Sequence, residues 1–463
     1  MKISLSRYKL ILIVFTFLFS FLLLGQTEPN TITQEDIEFS NFVSLVSSND
    51  KQVHKNAISF LTKNWKPEFE IIILEIFYFS QDFELNQLLL KLIKAKTGKR
   101  YGLDVNKWYE DLWSKPQRLT PYYHKFKAQL HGLIDRRFTT YFYNRQNTAK
   151  IRLDEVRWGG VKQDGIQPLR NPEMILANEA DYLDDDNIVF GIEIDGDFRA
   201  YPKRILAWHE MFTDTISDVP VAGVYCTLCG TVILYKTEFQ GKKYDLGTSG
   251  FLYRSNKLMY DKATQSLWNT IWGKPVVGPL VDKGIELDYL SVVTTTWGEW
   301  KSRHPETTVL SLRTGHTRNY NEGIAYKDYF STDDVMFNVP NLDKRLKNKQ
   351  LILAIKLPEI TDETIAISSK FLSKNIIYYN ELAEQQFVVL TDVSGANRVY
   401  FSKGVEFEYY DQKTTLRDKS GTKWMLYENF IKSDSGKIIK RLHSFNAFWF
   451  GWKAAHPNTK LIK

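Results

Sequence analysis

Three rhythms of apolar and polar positions follow one another along the chain. Lys2, Arg7 and Lys9 precede an apolar run from Leu10 to Leu24, after which Gly25, Gln26, Thr27, Glu28 and Pro29 restore polarity. Basic, then apolar, then small or polar is the order of a secretory signal. The run falls short of the roughly 20 apolar residues of a membrane span. No clean Ala-x-Ala site follows it, so residues 1–26 are expected to be a signal peptide or an N-terminal membrane anchor. No cysteine lies there to carry a lipid. Either form places the body in the periplasm or on the outer side of the envelope, and no later stretch is apolar enough to span a bilayer.

From about Gln34 to Phe142 the rhythm is helical. Phe60-Leu61, Ile71-Ile72-Ile73-Leu74, Phe77 and Leu88-Leu89-Leu90 recur at helical spacing with lysines between them. Trp65-Lys-Pro67 and Thr97-Gly-Lys-Arg-Tyr-Gly102 interrupt the pattern as loops. Residues 34–145 are therefore expected to form an α-helical segment, similar to a degenerate helical repeat, for packing or docking. Beyond Arg145 short β-like runs take over, such as Ile188 to Ile194 and Val221 to Tyr225, separated by Gly, Asp and Asn. One helix is expected among them, from Lys203 to Thr215, with Ile205, Leu206, His209 and Phe212 on one face. The predicted fold class is α+β, without regular βαβ alternation.

This second region repeats itself. Trp297-x-x-Trp300-x-x-x-His304-Pro305-x-Thr307 recurs as Trp449-x-x-Trp452-x-x-x-His456-Pro457-x-Thr459. Going backwards, Asp261 with Trp268 falls opposite Asp418 with Trp424, Val224 to Gly230 opposite Val389 to Gly395, and Trp208-His209 opposite Lys374-Asn375. The expectation is a mixed sheet domain of two diverged tandem copies, residues 150–320 and 321–463. Where the first copy has Cys226 and Cys229, the second has Thr391 and Ser394.

Charge changes the picture little. The formal net charge of +7 comes from 61 basic and 54 acidic residues spread along the chain, too dilute for a nucleic-acid footprint. The 12 Trp and 25 Tyr fit cores and sheet faces first, and sugar or protein contact surfaces second. No phosphate loop, dinucleotide fingerprint or nucleophile elbow occurs.

The chemistry converges on the 2 cysteines, in Cys226-Thr-Leu-Cys229-Gly230. Three uses compete: a small-loop disulfide, a thiol redox pair, and half of a metal knuckle. A redox pair is favoured when its first Cys begins a helix, whose positive end stabilises the thiolate, yet Thr231 to Tyr235 reads as a strand. A turn between two strands suits a knuckle, with Gly230 letting the sulfurs converge. With no second Cys-x-x-Cys, the remaining ligands would be His209 and then Met259. Thiolate, thioether and imidazole together favour copper, with zinc second. Equally open are Met259 as core filler, His209 in a hydrogen-bond network, and the cysteines as a disulfide. His304 and His456, each before Pro, are expected to end helices.

Taken in order, Trp158-Gly-Gly-Val161, Asp164-Gly165-Ile166, Ala200-Tyr-Pro202, Trp208-His-Glu210, Tyr225-Cys-x-Leu-Cys-Gly230, Met259-Tyr-Asp261, Ser266-Leu-Trp268 and His304-Pro305 resemble the bacterial domain of unknown function 3179 family. The resemblance covers roughly the last two-thirds of the chain, with Thr227 where the family usually has Pro. It implies an exported protein of the same fold and carries no established activity. The working expectation is an envelope protein binding a soft metal, with delivery, storage or a redox step as its purpose. The rivals are a noncatalytic binding or scaffold protein with a bridged Cys226–Cys229 and an unidentified protein or small-molecule partner, and a thiol redox protein.

Overall fold

The computed structural model describes residues 32–463 apart from 144, 146 and 147, so the signal or anchor expected at residues 1–26 lies outside the described residues. Among the described residues seven helices come first: Gln34–Ser47, Lys51–Lys63, Phe69–Phe79, Phe83–Thr97, Val105–Trp113, Tyr123–Gly132 and Phe138–Phe142. Their starts are written locally. Thr33 and Asp36 close a capping box, and Asp50, Asp82 and Asp104 accept from first-turn amides. Gly98, left-handed at φ 75°, ends the fourth helix. These helices share one apolar core with an antiparallel sheet of Val156–Trp158, Leu246–Tyr253, Asn256–Asp261, Leu267–Asn269 and Lys274–Val277. Phe251 sits at the junction, its ring against Phe138, Tyr141, Phe142 and His131.

The rest is α+β, as the short β rhythm predicts. In one sheet Val293–Thr296 lies antiparallel to Ile188–Ile194, which pairs with Asp197–Pro202, which runs parallel to Thr308–Leu310. In another Ser444–Phe448, Leu351–Lys356, Thr364–Ser368 and Lys460–Ile462 follow the same order and directions. Each sheet carries a helix, Trp297–Arg303 or Trp449–Ala455, capped at its C-terminus by His304 or His456. Trp300 Nε1 donates to Thr307 Oγ1 at 2.9 Å, and Trp452 Nε1 to Thr459 Oγ1 at 3.0 Å. Trp268 and Trp424 likewise donate to Asp261 and Asp418. The repeated motifs thus make the same local contacts twice.

The helix expected over Lys203 to Thr215 is shorter, Lys203–His209. Glu210 turns left-handed at φ 55°, and Met211–Ile216 continues as a strand paired with Val219–Cys226. The apolar spacing fits either element. The β-branched Thr213, Thr215 and Ile216 and the available neighbour strand decide for the sheet.

An eight-stranded antiparallel sheet from Ile377–Leu382 to Phe407–Tyr410 encloses a buried ion cluster. Arg398, 1 % exposed at its side chain, binds Glu428 through two nitrogens and Asp392 at 2.6 Å, and Arg441 holds the second Glu428 oxygen. Arg303 and His304 reach it from the preceding half, 3.6 Å from Asp392 and 3.3 Å from Glu428. Burial, the largest single influence, pulls the Glu428 carboxyl upward, but the Arg398 charge, hydrogen bonds from His304 and Arg398 and the Arg441 charge together hold the group well below its ordinary range. Truncating Arg398 leaves two carboxylates buried against less positive charge. Arg398→Met should cost about 3–5 kcal/mol of unfolding free energy in urea denaturation; a loss below about 1 kcal/mol would show that the cluster is not needed.

Candidate functional site

Val219–Cys226 and Thr231–Lys236 form a hairpin in which Cys226 pairs with Thr231, leaving Thr227 to Gly230 as the turn. Gly230 has φ +59°, a conformation that favours glycine. The two sulfurs lie within disulfide distance, with Cα atoms 5.6 Å apart. Both residues are buried, among Leu228, Leu252 and Tyr329, with Phe448 packed against them. The C-terminal segment closes the lid. Phe448 N donates to Cys229 O at 2.7 Å, and a Cβ on Gly451 would stand 2.7 Å from that of Cys229.

Beside the turn sits a buried charge pair. Glu210 O accepts from Tyr225 N, and its Oε1 accepts from Thr227 Oγ1 and Tyr326 OH, each at 2.7 Å. Its Oε2 makes an ion pair with Lys257. Burial, then the Glu210 charge, raises the Tyr326 phenol above its ordinary range, so it stays a donor. Lys257 follows a two-residue turn, Arg254 and Ser255, with φ of 49° and 65°. Such turns favour Asn-Gly, and other side chains there cost of order 1 kcal/mol each. Arg254 is held by Glu155 at 2.5 Å and by Ala454 O at 3.0 Å. Ser255 Oγ and Asn256 Oδ1 are buried without a hydrogen-bond partner, while Asn256 Nδ2 donates to Gly451 O.

The other two expected ligands, His209 and Met259, have contacts of their own. His209 is buried, its Nδ1–H donating to Gln167 O at 2.8 Å and its Nε2 accepting from Tyr320 OH at 2.6 Å. In that tautomer its lone pair is already engaged. Met259 lies in a different apolar cluster from the cysteines, with Trp268, Leu246 and Ile271. Among the described residues no group of three or more His, Cys, Asp or Glu is placed to hold a metal ion.

Residues 163–459 match the family described as protein of unknown function (DUF3179). The chain belongs to the DUF3179 family. No curated protein and no solved structure matches it. The Cys-x-x-Cys turn, His209, Glu210 and Met259 all fall in the DUF3179 region, and the seven helices precede it.

Glu210, Lys257, Asn256 and Gly451 were not singled out from the sequence as partners of the turn. One signal existed for Glu210: a carboxylate at a helix C-terminus faces the wrong end of the dipole and needs a cation. Nothing local marks Gly451.

Burial pushes the His209 imidazole down to about 4 from its ordinary 6.5. The folded state therefore favours the neutral ring, and its contribution is complete above pH 6.5 and lost as pH falls toward about 4. Over that interval the stability of the wild type relative to His209→Gln should fall by up to about 3 kcal/mol. Urea unfolding measured across it checks this, and parallel acid limbs for the two proteins would contradict it.

Proposed function

We propose that this DUF3179 protein is an exported binding or scaffold protein of the cell envelope, in which Cys226 and Cys229 form a structural disulfide. The observation that carries this reading is the enclosure of the paired sulfurs beneath Phe448 and Gly451. A metal knuckle would need His209 to release Tyr320 and Met259 to leave its core. The basic and apolar N-terminus supports export, and a disulfide suits an oxidising compartment.

The matching strand orders and repeated Trp contacts support a tandem duplication. On that alignment the turn corresponding to Cys226-Thr-Leu-Cys229 is Thr391-Asp-Val-Ser394. It is closed by hydrogen bonds to Asp392 from Ser394 N, Ser394 Oγ and Ala396 N. A disulfide in the first copy then does mechanically what a carboxylate does in the second. A thiol redox protein is the second reading, favoured by Glu210, a buried carboxylate that accepts a hydrogen bond from Thr227 between the cysteines.

Thiol counting on the unfolded, unreduced protein, with metal content by mass spectrometry, tests the proposal. Paired cysteines and substoichiometric metal are expected; free thiols with near-stoichiometric copper or zinc would overturn it. Replacing both cysteines by Ala should cost about 2 kcal/mol, the loop-entropy value for a closed loop of this size.

A further inference from the structure

A cleft of about 480 Å³ opens where the two halves of the sheet region meet, a size ordinary for small-ligand sites. Its aromatic walls are Phe239 and Tyr289 from the first half and Phe401 and Phe445 from the second, with Leu357 and Ile360 beside them. Tyr289 and Phe445 stack at an interplanar angle of 10°.

Polar groups at the floor are incompletely matched. Lys356 Nζ donates to Tyr289 OH at 2.5 Å and lies 3.9 Å from Glu286 Oε1, and its side chain is only 10 % exposed. Burial, before the neighbouring charges, pushes this ammonium down to about 8. Tyr289 OH donates its own hydrogen bond to Ile271 O at 2.6 Å. Glu286 Oε2 is held by Lys274 at 2.7 Å, whereas Glu286 Oε1 is buried with no hydrogen-bond partner. The floor thus presents a spare donor and a spare acceptor side by side, which one hydroxyl group satisfies by accepting from the first and donating to the second.

Charge narrows the choice. Glu286, Asp288 and Glu359 bring three carboxylates to the lining. Pairing removes Glu286, bound to Lys274, and Arg441, bound to Glu428, leaving Asp288 and Glu359 against Lys356. An anion would meet more repulsion than attraction, and a cation would meet Lys356 at the floor. Several hydroxyl donors on a ring with an apolar face fit both the carboxylates and the aromatic walls.

We propose that this cleft binds a neutral polyhydroxylated ring, a saccharide, with one hydroxyl set between Lys356 Nζ and Glu286 Oε1 and its apolar face on the aromatic wall. The proposal rests on the binding-protein reading and names its ligand class. Neither cysteine lines the cleft, so absence of saccharide binding with the cysteines paired overturns the ligand class alone. Free thiols with bound metal overturn the disulfide reading instead.

The test uses three probes built on one ring: methyl β-D-glucoside, methyl β-D-glucuronide and glucosamine. Each is offered at millimolar concentration to the full chain and followed by saturation-transfer NMR. The glucoside should bind most tightly, and Glu286→Ala and Lys356→Met should each weaken it roughly tenfold, the effect of one lost charge-assisted hydrogen bond. Ile360→Trp, at an exposed rim position, should block the cleft without disturbing the buried floor. It carries the test if either floor variant fails to fold. No transfer to the glucoside, equal or tighter binding of either charged probe, or undiminished affinity in the folded variants would overturn the proposal.

Discussion

Enclosure of the Cys226-to-Gly230 turn by the C-terminal segment is the constraint on which the sheet region depends. A hairpin tip normally faces water, where its backbone groups find partners. Here the tip is buried, so every polar group needs a partner from the protein. Cys229 O accepts from Phe448 N, Leu228 O accepts from the Tyr329 hydroxyl, and the Thr227 hydroxyl donates to Glu210. Glycines permit the contact on both sides: Gly230 under the Phe448 ring, and Gly451 against Cys229. A side chain at either position would separate the two halves, and with them the shared core of Ile233, Tyr235, Ile352, Phe445 and Trp452.

Burial of the turn also explains the charges around it. Glu210 is left-handed at a helix end, where the dipole disfavours a carboxylate, and it is stabilised there by Lys257 and two hydroxyls. The Arg398 cluster solves the same problem in the second half with two arginines, Arg398 and Arg441, on the buried Glu428. Both clusters draw groups from distant parts of the chain, so they fix how the halves meet as well as how each folds.

The legibility of this arrangement in the sequence followed the range of the interactions. The early helices were readable because their apolar stripes and breaks are local, as at Leu88-Leu89-Leu90 and at Gly98. The repeated Trp, His-Pro and Thr positions were readable because each motif makes its contacts within about one helix and one strand. The strand after the cysteines was visible from Thr231 to Tyr235. The strand at Met211 was not, because its pairing with Val224 competes with an equally good helical spacing. Cys226, Cys229, His209 and Met259 were chosen by ligand chemistry, and residue type alone cannot show that His209 is already bonded at both nitrogens. Lys257 and Gly451 join the turn from sequence positions far away, and their partners are set by tertiary contacts that no local pattern encodes.

An enclosed structural bond between Cys226 and Cys229 is tested most directly by the rate at which a reductant opens it in the native protein, followed by alkylation and mass spectrometry. If the turn is a buried staple, reduction should be slow and should accelerate only as denaturant unfolds the sheet region, because attack requires access to a sulfur. Rapid, reversible reduction of the fully folded protein would contradict the account and make the pair a working dithiol.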